Sequence, residues 1–463
     1  ALPIFWGNYN GTPVRTISIL NGIKSKLSSN TVLYDKACDL VENKVTQSYF
    51  AHTATGVLKG FKGTYWNNRE RSSEPVTTVQ ITNPLKITTA GEHEFASGVK
   101  LEGFSARYET EFTAPATEEI VFKSGATGYF ELFVNGQSLT RYNNWRTLPS
   151  RIAYTVEKGK TYKIEIRYAQ LNNWQANLEF DFGKEVDIDF NNLIQKLKGI
   201  EVVIFAGGLS TLLEGEEMPV NYPGFKGGDR TDIQLPEVQR QCMQALKAAG
   251  KQVIFINCSG SAIGLVPETE NCDAILQAWY GGESGGQAVA EVLFGDYNPS
   301  GKLPVTFYKD TTQLADFEDY SMKGRTYRYM TTDPLFQFGF GLSYTHFKIA
   351  EARLSKTEIK AGEEVELTVP VTNTGNRKGV EIIQVYVKKL NDPDGPLRTL
   401  RGFKRSEVEP GKTKEVTINL SASAFEFYNS SGHKMAVTPG VYEIWYGNSS
   451  AIKDLKMKPL VIY

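Results

Sequence analysis

The stretch Val202-Val203-Ile204-Phe205-Ala206, followed by Gly207-Gly208-Leu209-Ser210-Thr211-Leu212-Leu213-Glu214-Gly215-Glu216-Glu217, decides how this chain is read. An apolar run of this length closed by two glycines has the size of a buried strand. Further along, Pro236 to Ala249 has helical spacing, Gln252 to Asn257 and Ala274 to Trp279 read as strands, and Gly285 to Phe294 reads as a helix. Asn191 to Leu197, ahead of the first run, is also helical. Strands alternating with helices predict a parallel sheet covered by helices. In an open sheet of that kind, ligands bind in the crevice outside the carboxyl ends of the strands. The loop carrying Glu214, Glu216 and Glu217 leaves such an end, and thirteen residues past Glu216 the chain reads Asp229-Arg230. Carboxylates this close repel one another, and one that is partly buried holds its proton more tightly, as a general acid must near neutral pH. From residue type alone, an acidic loop that is simply solvated reads the same way.

Working outward, residues 16–27 place Ile17, Leu20, Ile23 and Leu27 at helical spacing, and Thr31 to Tyr34 reads as a short buried strand. A helix crossing to a parallel strand needs a strand before it, so the chain reads as truncated at its start. From about Gly56 to Phe182 the period changes to two, over Ala106–Thr113, Glu119–Lys123, Gly128–Val134 and Tyr162–Tyr168, and Asn135-Gly136 signals a type I′ hairpin. This predicts an all-β insertion within the α/β domain. A final set of alternating segments, Glu364–Thr372, Glu381–Val387, Lys414–Leu420 and Gly440–Tyr446, fits an immunoglobulin-like sandwich. The expected organisation is an α/β part over residues 1–55 and 187–344, an inserted β domain over 56–186, and a β-sandwich over 345–463.

The 463 residues are 41% hydrophobic and 22% charged, with a formal net charge of −1. A balanced surface offers no electrostatic case for nucleic acid or an anionic membrane as partner. No apolar run is long enough to span a bilayer, and Ala1 to Trp6 does not read as a signal peptide. Twenty-three Tyr, 25 Phe and 6 Trp suit either stacking on sugars or the packing of β domains. Cys38, Cys242, Cys258 and Cys272 form no metal-ligand spacing and read as free thiols, and the four histidines stand far apart. No metal or cofactor is expected. Ser259-Gly260-Ser261 lacks the order of a nucleophile elbow, and Glu283 before the last helix reads as an acidic helix-start residue.

The segments Trp6–Gly11, Tyr34–Asp39, Gly228 to Pro236, Ile275–Glu283, Leu293–Pro304 and Phe338–Tyr344 resemble the C-terminal sandwich domain of glycoside hydrolase family 3. The later β stretch resembles the fibronectin type III-like domain that follows it there. Tyr108 to Pro115 and Gly128 to Gly136 resemble the protective-antigen-like barrel inserted in some members. The resemblance spans the whole chain and implies a multidomain α/β plus all-β protein. In it, a flavodoxin-like α/β sandwich is interrupted by an all-β barrel and followed by an immunoglobulin or fibronectin III-like sandwich. It also implies retaining hydrolysis of β-glycosidic bonds from the non-reducing end, with an aspartate nucleophile on a preceding (β/α)8 barrel and a glutamate acid/base on the sandwich loop.

Aligning the family's x-Glu-x-Glu loop with Leu213-Glu214-Gly215-Glu216 puts the acid/base at Glu216, with Glu214 and Glu217 as the other candidates. Glu214 then binds a hydroxyl or holds Glu216 protonated. Asp229 and Arg230 either pin the loop as a pair or contact substrate, and Trp145, like Trp66 and Trp174, either stacks on sugar or packs in the barrel core. The intervening Met218 to Gly228 is longer than the commonest form and resembles the β-xylosidase-like members. The resemblance therefore implies the C-terminal portion of an enzyme releasing xylose from xylo-oligosaccharides, β-glucosides being the close rival. A non-catalytic carbohydrate-binding module is the reading from another class. The implied partners are an oligosaccharide and the missing barrel, the chain being inactive without it, and the implied location is periplasmic or secreted.

Overall fold

The computed structural model describes residues 15–27, 31–89, 96–170, 176–211, 213–214 and 220–463, without the side chains of 145–149. Three strands, Val202–Gly208, Gln252–Cys258 and Ala274–Gln277, pair in parallel in that order, with Phe205 opposite Phe255 and Phe255 opposite Ile275. Five helices accompany them: α1 (Ile19–Lys26), α2 (Phe190–Lys196), α3 (Glu237–Ala248), α4 (Val266–Asn271) and α5 (Gly285–Leu293). Strand residues alternate between the two faces of the sheet, as the pleat requires. Phe205, Val253 and Phe255 pack with Leu193 of α2 and Leu197 just past its end, and with Val238, Cys242, Met243 and Leu246 of α3. Ile204, Ile254, Ile256, Cys258 and Leu276 face the other way, towards Ile19 of α1 and Val289 and Leu293 of α5. Cys38, Cys242, Cys258 and Cys272 are free thiols, the first three buried.

Helix α1 lies far from α5 in sequence but crosses it closely. A Cβ on Gly22 would stand 2.1 Å from the Gly286 carbonyl oxygen, so only glycine permits this approach. The Ile17 amide donates to the Glu283 carbonyl at 2.8 Å, and the Gly286 amide donates back to Ile17 at 3.0 Å. The segments before and after the β insertion thus share one core.

Between them lies an antiparallel sheet in the order Lys44–Ser48, Asn177–Asp187, Glu118–Val134, Thr161–Ala169, Ser105–Thr113, Thr53–Thr55 and Leu58–Lys59. Its first strand pairs with the strand that leaves it, Lys44 opposite Asp187, so the chain enters and exits at one place and the pairing begins well before Gly56. The core is aromatic: Phe50, Phe61, Phe112, Phe122, Phe180 and Phe182 are all buried. Trp66 is buried too, and its indole nitrogen donates to the Ser73 carbonyl at 2.9 Å. Asn135 and Gly136 have φ of 51° and 80° between Val134 and Gln137, as a type I′ turn demands. The two segments read separately as Glu119–Lys123 and Gly128–Val134 form one strand with a register shift between Ala126 and Gly128.

The C-terminal strands form a four-stranded and a five-stranded sheet, with a separate two-stranded pairing of Phe427–Asn429 and Lys434–Ala436. Val365, Leu367, Val369 and Val371 from the first and Ile383, Val385, Val387, Ile444 and Tyr446 from the second meet in one core.

One expectation is corrected. Thr31 to Tyr34 is not a strand, and Tyr34 is half exposed. A strand exists only where a neighbouring strand pairs with it, and among the described residues this segment belongs to no sheet.

Candidate functional site

The first parallel strand ends in a tightly held turn. Gly208 has a φ of +113°, and a Cβ there would be 2.1 Å from the Cys258 carbonyl oxygen. Gln239 of α3 grips the same residue from both sides, its Oε1 accepting from the Gly208 amide and its Nε2 donating to the Gly208 carbonyl, each at 2.8 Å. The Leu209 amide donates to Cys258 at 2.7 Å, and the amides of Leu213 and Glu214 donate to the Ser210 carbonyl at 2.8 and 3.0 Å. Leu209 and Leu213 are buried, so the chain reaches Glu214 with little freedom left.

Glu214 is drawn inward. Its Oε1 accepts from the Ser261 hydroxyl at 3.1 Å, and its Oε2 accepts from the Tyr280 hydroxyl at 3.0 Å. Nη1 of Arg230 lies 3.5 Å from Oε1, the two side chains being only 15% and 16% exposed. Ser261 follows the second parallel strand and Tyr280 the third, so one carboxylate gathers the carboxyl ends of the whole sheet. Burial, reinforced by the charge of Glu214, pushes the Tyr280 hydroxyl well above the usual range, so it remains a proton donor.

Arg230 comes from a small antiparallel meander, Asn221–Tyr222, Phe225–Lys226 and Asp229–Arg230. Its Nε donates to the Asp232 carbonyl at 2.9 Å, its Nη2 to the Gln234 carbonyl at 2.8 Å, and its guanidinium stands 5.3 Å from the centre of the Phe225 ring. Burial lowers its proton affinity and Glu214 opposes that shift. Asp229 is exposed, with Lys226 opposite it in register. Alternation along the strand sends its side chain away from that of Arg230, so these two sequence neighbours meet different surroundings.

Of the residues singled out from sequence, Glu214 and Arg230 come together here and Asp229 stands apart. Glu216, Glu217 and the side chain of Trp145 lie outside the described residues, as does Trp174. Sequence reasoning passed over Tyr280 as a site residue and read Ser261 as part of a failed nucleophile motif. The available signal was position, since each lies just past the end of a parallel strand. Ser259 is buried, its hydroxyl donating to the Ser261 carbonyl at 2.9 Å and accepting from Gln277 at 3.1 Å, which makes it a turn-stabilising residue. A cavity lined by Ile19, Cys258, Leu276, Trp279, Glu283 and Val289 opens on the α1–α5 face and does not include the Glu214 cluster.

Residues 2–344 match the glycosyl hydrolase family 3 C-terminal domain, and residues 381–450 match a fibronectin type III-like domain. A xylan 1,4-beta-xylosidase of Xylanibacter ruminicola is 52% identical over 98% of this chain and 52% of its own length. A periplasmic beta-glucosidase of Salmonella typhimurium is 35% identical over 56% of this chain and 34% of its own length. The chain thus spans about half, or about a third, of the length of these relatives. A beta-glucosidase structure from Kluyveromyces marxianus matches all of this chain and 57% of its own with a TM-score of 0.69 at 21% identity, a likeness of fold. Among the described residues no helix is long and apolar enough to cross a membrane. With a family-specific domain matched over most of its length, the chain belongs to glycosyl hydrolase family 3.

Proposed function

We propose that this chain is the C-terminal portion of a retaining, exo-acting β-glycosidase and supplies its general acid/base from the loop after Val202–Gly208. The finest architecture we assign to it is a flavodoxin-like sandwich on either side of an inserted protective-antigen-like barrel, whose bounds the pairing of Lys44 with Asp187 moves from 56–186 to about 44–187, followed by a fibronectin III-like sandwich over 345–463. In a retaining pair the two carboxyl groups stand about 5–5.5 Å apart, one attacking the anomeric carbon and the other protonating the leaving oxygen. Glu216 takes the second role. Glu214 is turned inward towards Ser261, Tyr280 and Arg230, and Glu216 is the residue that the family's loop pattern selects. The nucleophile is carried by a (β/α)8 barrel beyond this chain, so the chain alone is inactive and its partners are that barrel and an oligosaccharide.

The 52% identity over nearly the whole chain to a xylan 1,4-beta-xylosidase carries the assignment of xylo-oligosaccharides as substrate. The periplasmic beta-glucosidase among the relatives favours β-glucosides as the second reading and a periplasmic or secreted location. Rates of the complete enzyme on nitrophenyl β-xyloside and β-glucoside separate the two, and retention is read by NMR from the first-formed anomer. Turnover by this chain alone at the rate of the complete enzyme would refute the division of roles.

A further inference from the structure

We propose that the seam between the α/β part and the C-terminal sandwich binds one small oxyanion, a carboxylate or a phosphate, on the guanidinium groups of Arg328, Arg398 and Arg401. Each of the three has a buried Nε without a hydrogen-bond partner, and the hydroxyl of Thr399, next to Arg398 in the chain, is a further buried group of that kind. Among the described residues none of the three arginines forms an ion pair. Arg398 as a whole is only 7% exposed. Burying a guanidinium without a counter-charge is costly. An oxyanion that accepts from the planar fork of an arginine offsets that cost, and its shape is matched by the fork.

The three side chains come from two parts of the chain that lock together. The Leu397 amide donates to the Arg328 carbonyl at 2.7 Å, and the Leu400 amide donates to the Tyr327 hydroxyl at 3.2 Å. The Tyr327 ring stacks on Phe338 at 4.3 Å and meets Tyr386 edge-on at 5.7 Å, so aromatic rings wall the seam. Strand Thr399–Val408 bulges there: Leu400 lies opposite Tyr386 and Gly402 opposite Val385, leaving Arg401 as the extra residue. Strict alternation would send the side chains of Arg398 and Arg401 to opposite faces, and the extra residue removes that alternation. Arg401 donates through Nη2 to the Glu426 carbonyl, which holds the group without neutralising it. Burial lowers the proton affinity of Arg401, the like charge of Arg328 adds to that shift, and Glu426 opposes it. Thr326, just ahead of Tyr327 and Arg328, has a φ of 54°, a strained setting for a β-branched residue. It is held by donation of its amide to the Tyr308 hydroxyl at 3.0 Å and of the Tyr327 amide to the Thr306 hydroxyl at 3.1 Å. Strain of this kind persists where the surroundings over-determine it, and it clusters at ligand clamps.

Scanning calorimetry of the complete enzyme in chloride, acetate and inorganic phosphate, at equal ionic strength, tests the site. A ligand bound only by the folded state raises the unfolding midpoint with the logarithm of its concentration, whereas exclusion of salt from the surface acts on every variant alike. At about 10 mM, phosphate or acetate is expected to raise the midpoint of the transition carrying the sandwich by about 3 °C over chloride. Arg398→Met and Arg401→Met each abolish that rise. Arg353→Met, which removes an exposed pair with Glu415 in the same sandwich, keeps it. Titration calorimetry of the unsubstituted enzyme with the same anion shows one site, a result that does not depend on how the variants fold. A larger response to phosphate assigns a tetrahedral occupant and a larger response to acetate a planar one. A rise of equal size in all variants overturns the proposal, and so does the absence of both a rise and a binding heat with either anion.

Discussion

Replacing Arg240 by Ala is expected to unlock the α/β part in a pH-dependent way. Glu268 of α4 has a side chain only 1% exposed, and Arg240 of α3 meets it with Nε at 3.0 Å from Oε1. The same guanidinium donates through Nη2 to the Gly264 carbonyl at 2.7 Å and to the Gln234 side chain at 2.6 Å. The Gln234 carbonyl in turn accepts from Arg230, so the clamp supports the Glu214 cluster at one remove.

Without Arg240 a carboxylate is left buried and unpaired, a change that costs about 3–5 kcal/mol. Protonation caps the charge-related part of that cost. Neutralising a carboxyl of ordinary pKa costs about 3.7 kcal/mol at pH 7 and less than about 1 kcal/mol at pH 4.5. Burial already raises the proton affinity of Glu268 in the folded chain, with Arg240 opposing it. A group raised on folding contributes stability that is fully present below its unfolded pKa and is lost as pH rises through its folded value. The variant raises that value further, so its defect must shrink on acidification. Urea unfolding at pH 7 and pH 4.5 measures it, with Arg240→Met/Glu268→Met as the double variant expected to be more stable than Arg240→Ala. A defect below about 1 kcal/mol at pH 7, or one of equal size at both pH values, would refute the reasoning.

Three further outcomes follow from other parts of the molecule. Gly22→Ala drives a Cβ to 2.1 Å from the Gly286 carbonyl oxygen, so α1 and α5 must separate, at a cost of about 1–3 kcal/mol or more read as a lower urea midpoint. Arg398 is 7% exposed with an unpartnered Nε, and burial lowers its proton affinity, with the phenols Tyr386 and Tyr327 opposing that shift. Arg398→Met is therefore expected to stabilise the C-terminal sandwich by about 1 kcal/mol in calorimetry, and a loss of stability would show that the charge is compensated. In the complete enzyme, Asp229→Asn should change kcat/KM by less than about twofold while Arg230→Met lowers it about tenfold. Equal losses would mean that the two act as a pair.

The helices of the α/β part were legible because burial on one face imposes a helical period, and its strands because burial on both faces makes them continuous apolar runs. The Asn135-Gly136 turn was legible because few residues tolerate two positive φ values in succession. The alternating runs of the C-terminal sandwich were legible for the same reason as the helices. Thr31–Tyr34 is apolar without being a strand, because apolar content alone does not supply the neighbouring strand that a sheet requires. Asp229 and Arg230 adjoin in sequence, but a pleated strand points adjacent side chains in opposite directions, and only Arg230 reaches Glu214.

By itself, then, the sequence determined the class of domains, the family resemblance, and the loop on which the chemistry should lie. Those follow from local periodicity, turn chemistry and motif spacing, all of which are written in neighbouring residues. Only the tertiary structure decided that α1 belongs with α5, that Glu214 is an inward anchor, and that Tyr280, Ser261 and Arg230 are its partners. Those contacts join residues that are far apart along the chain, and they exist because the parallel sheet brings the ends of its three strands to one edge.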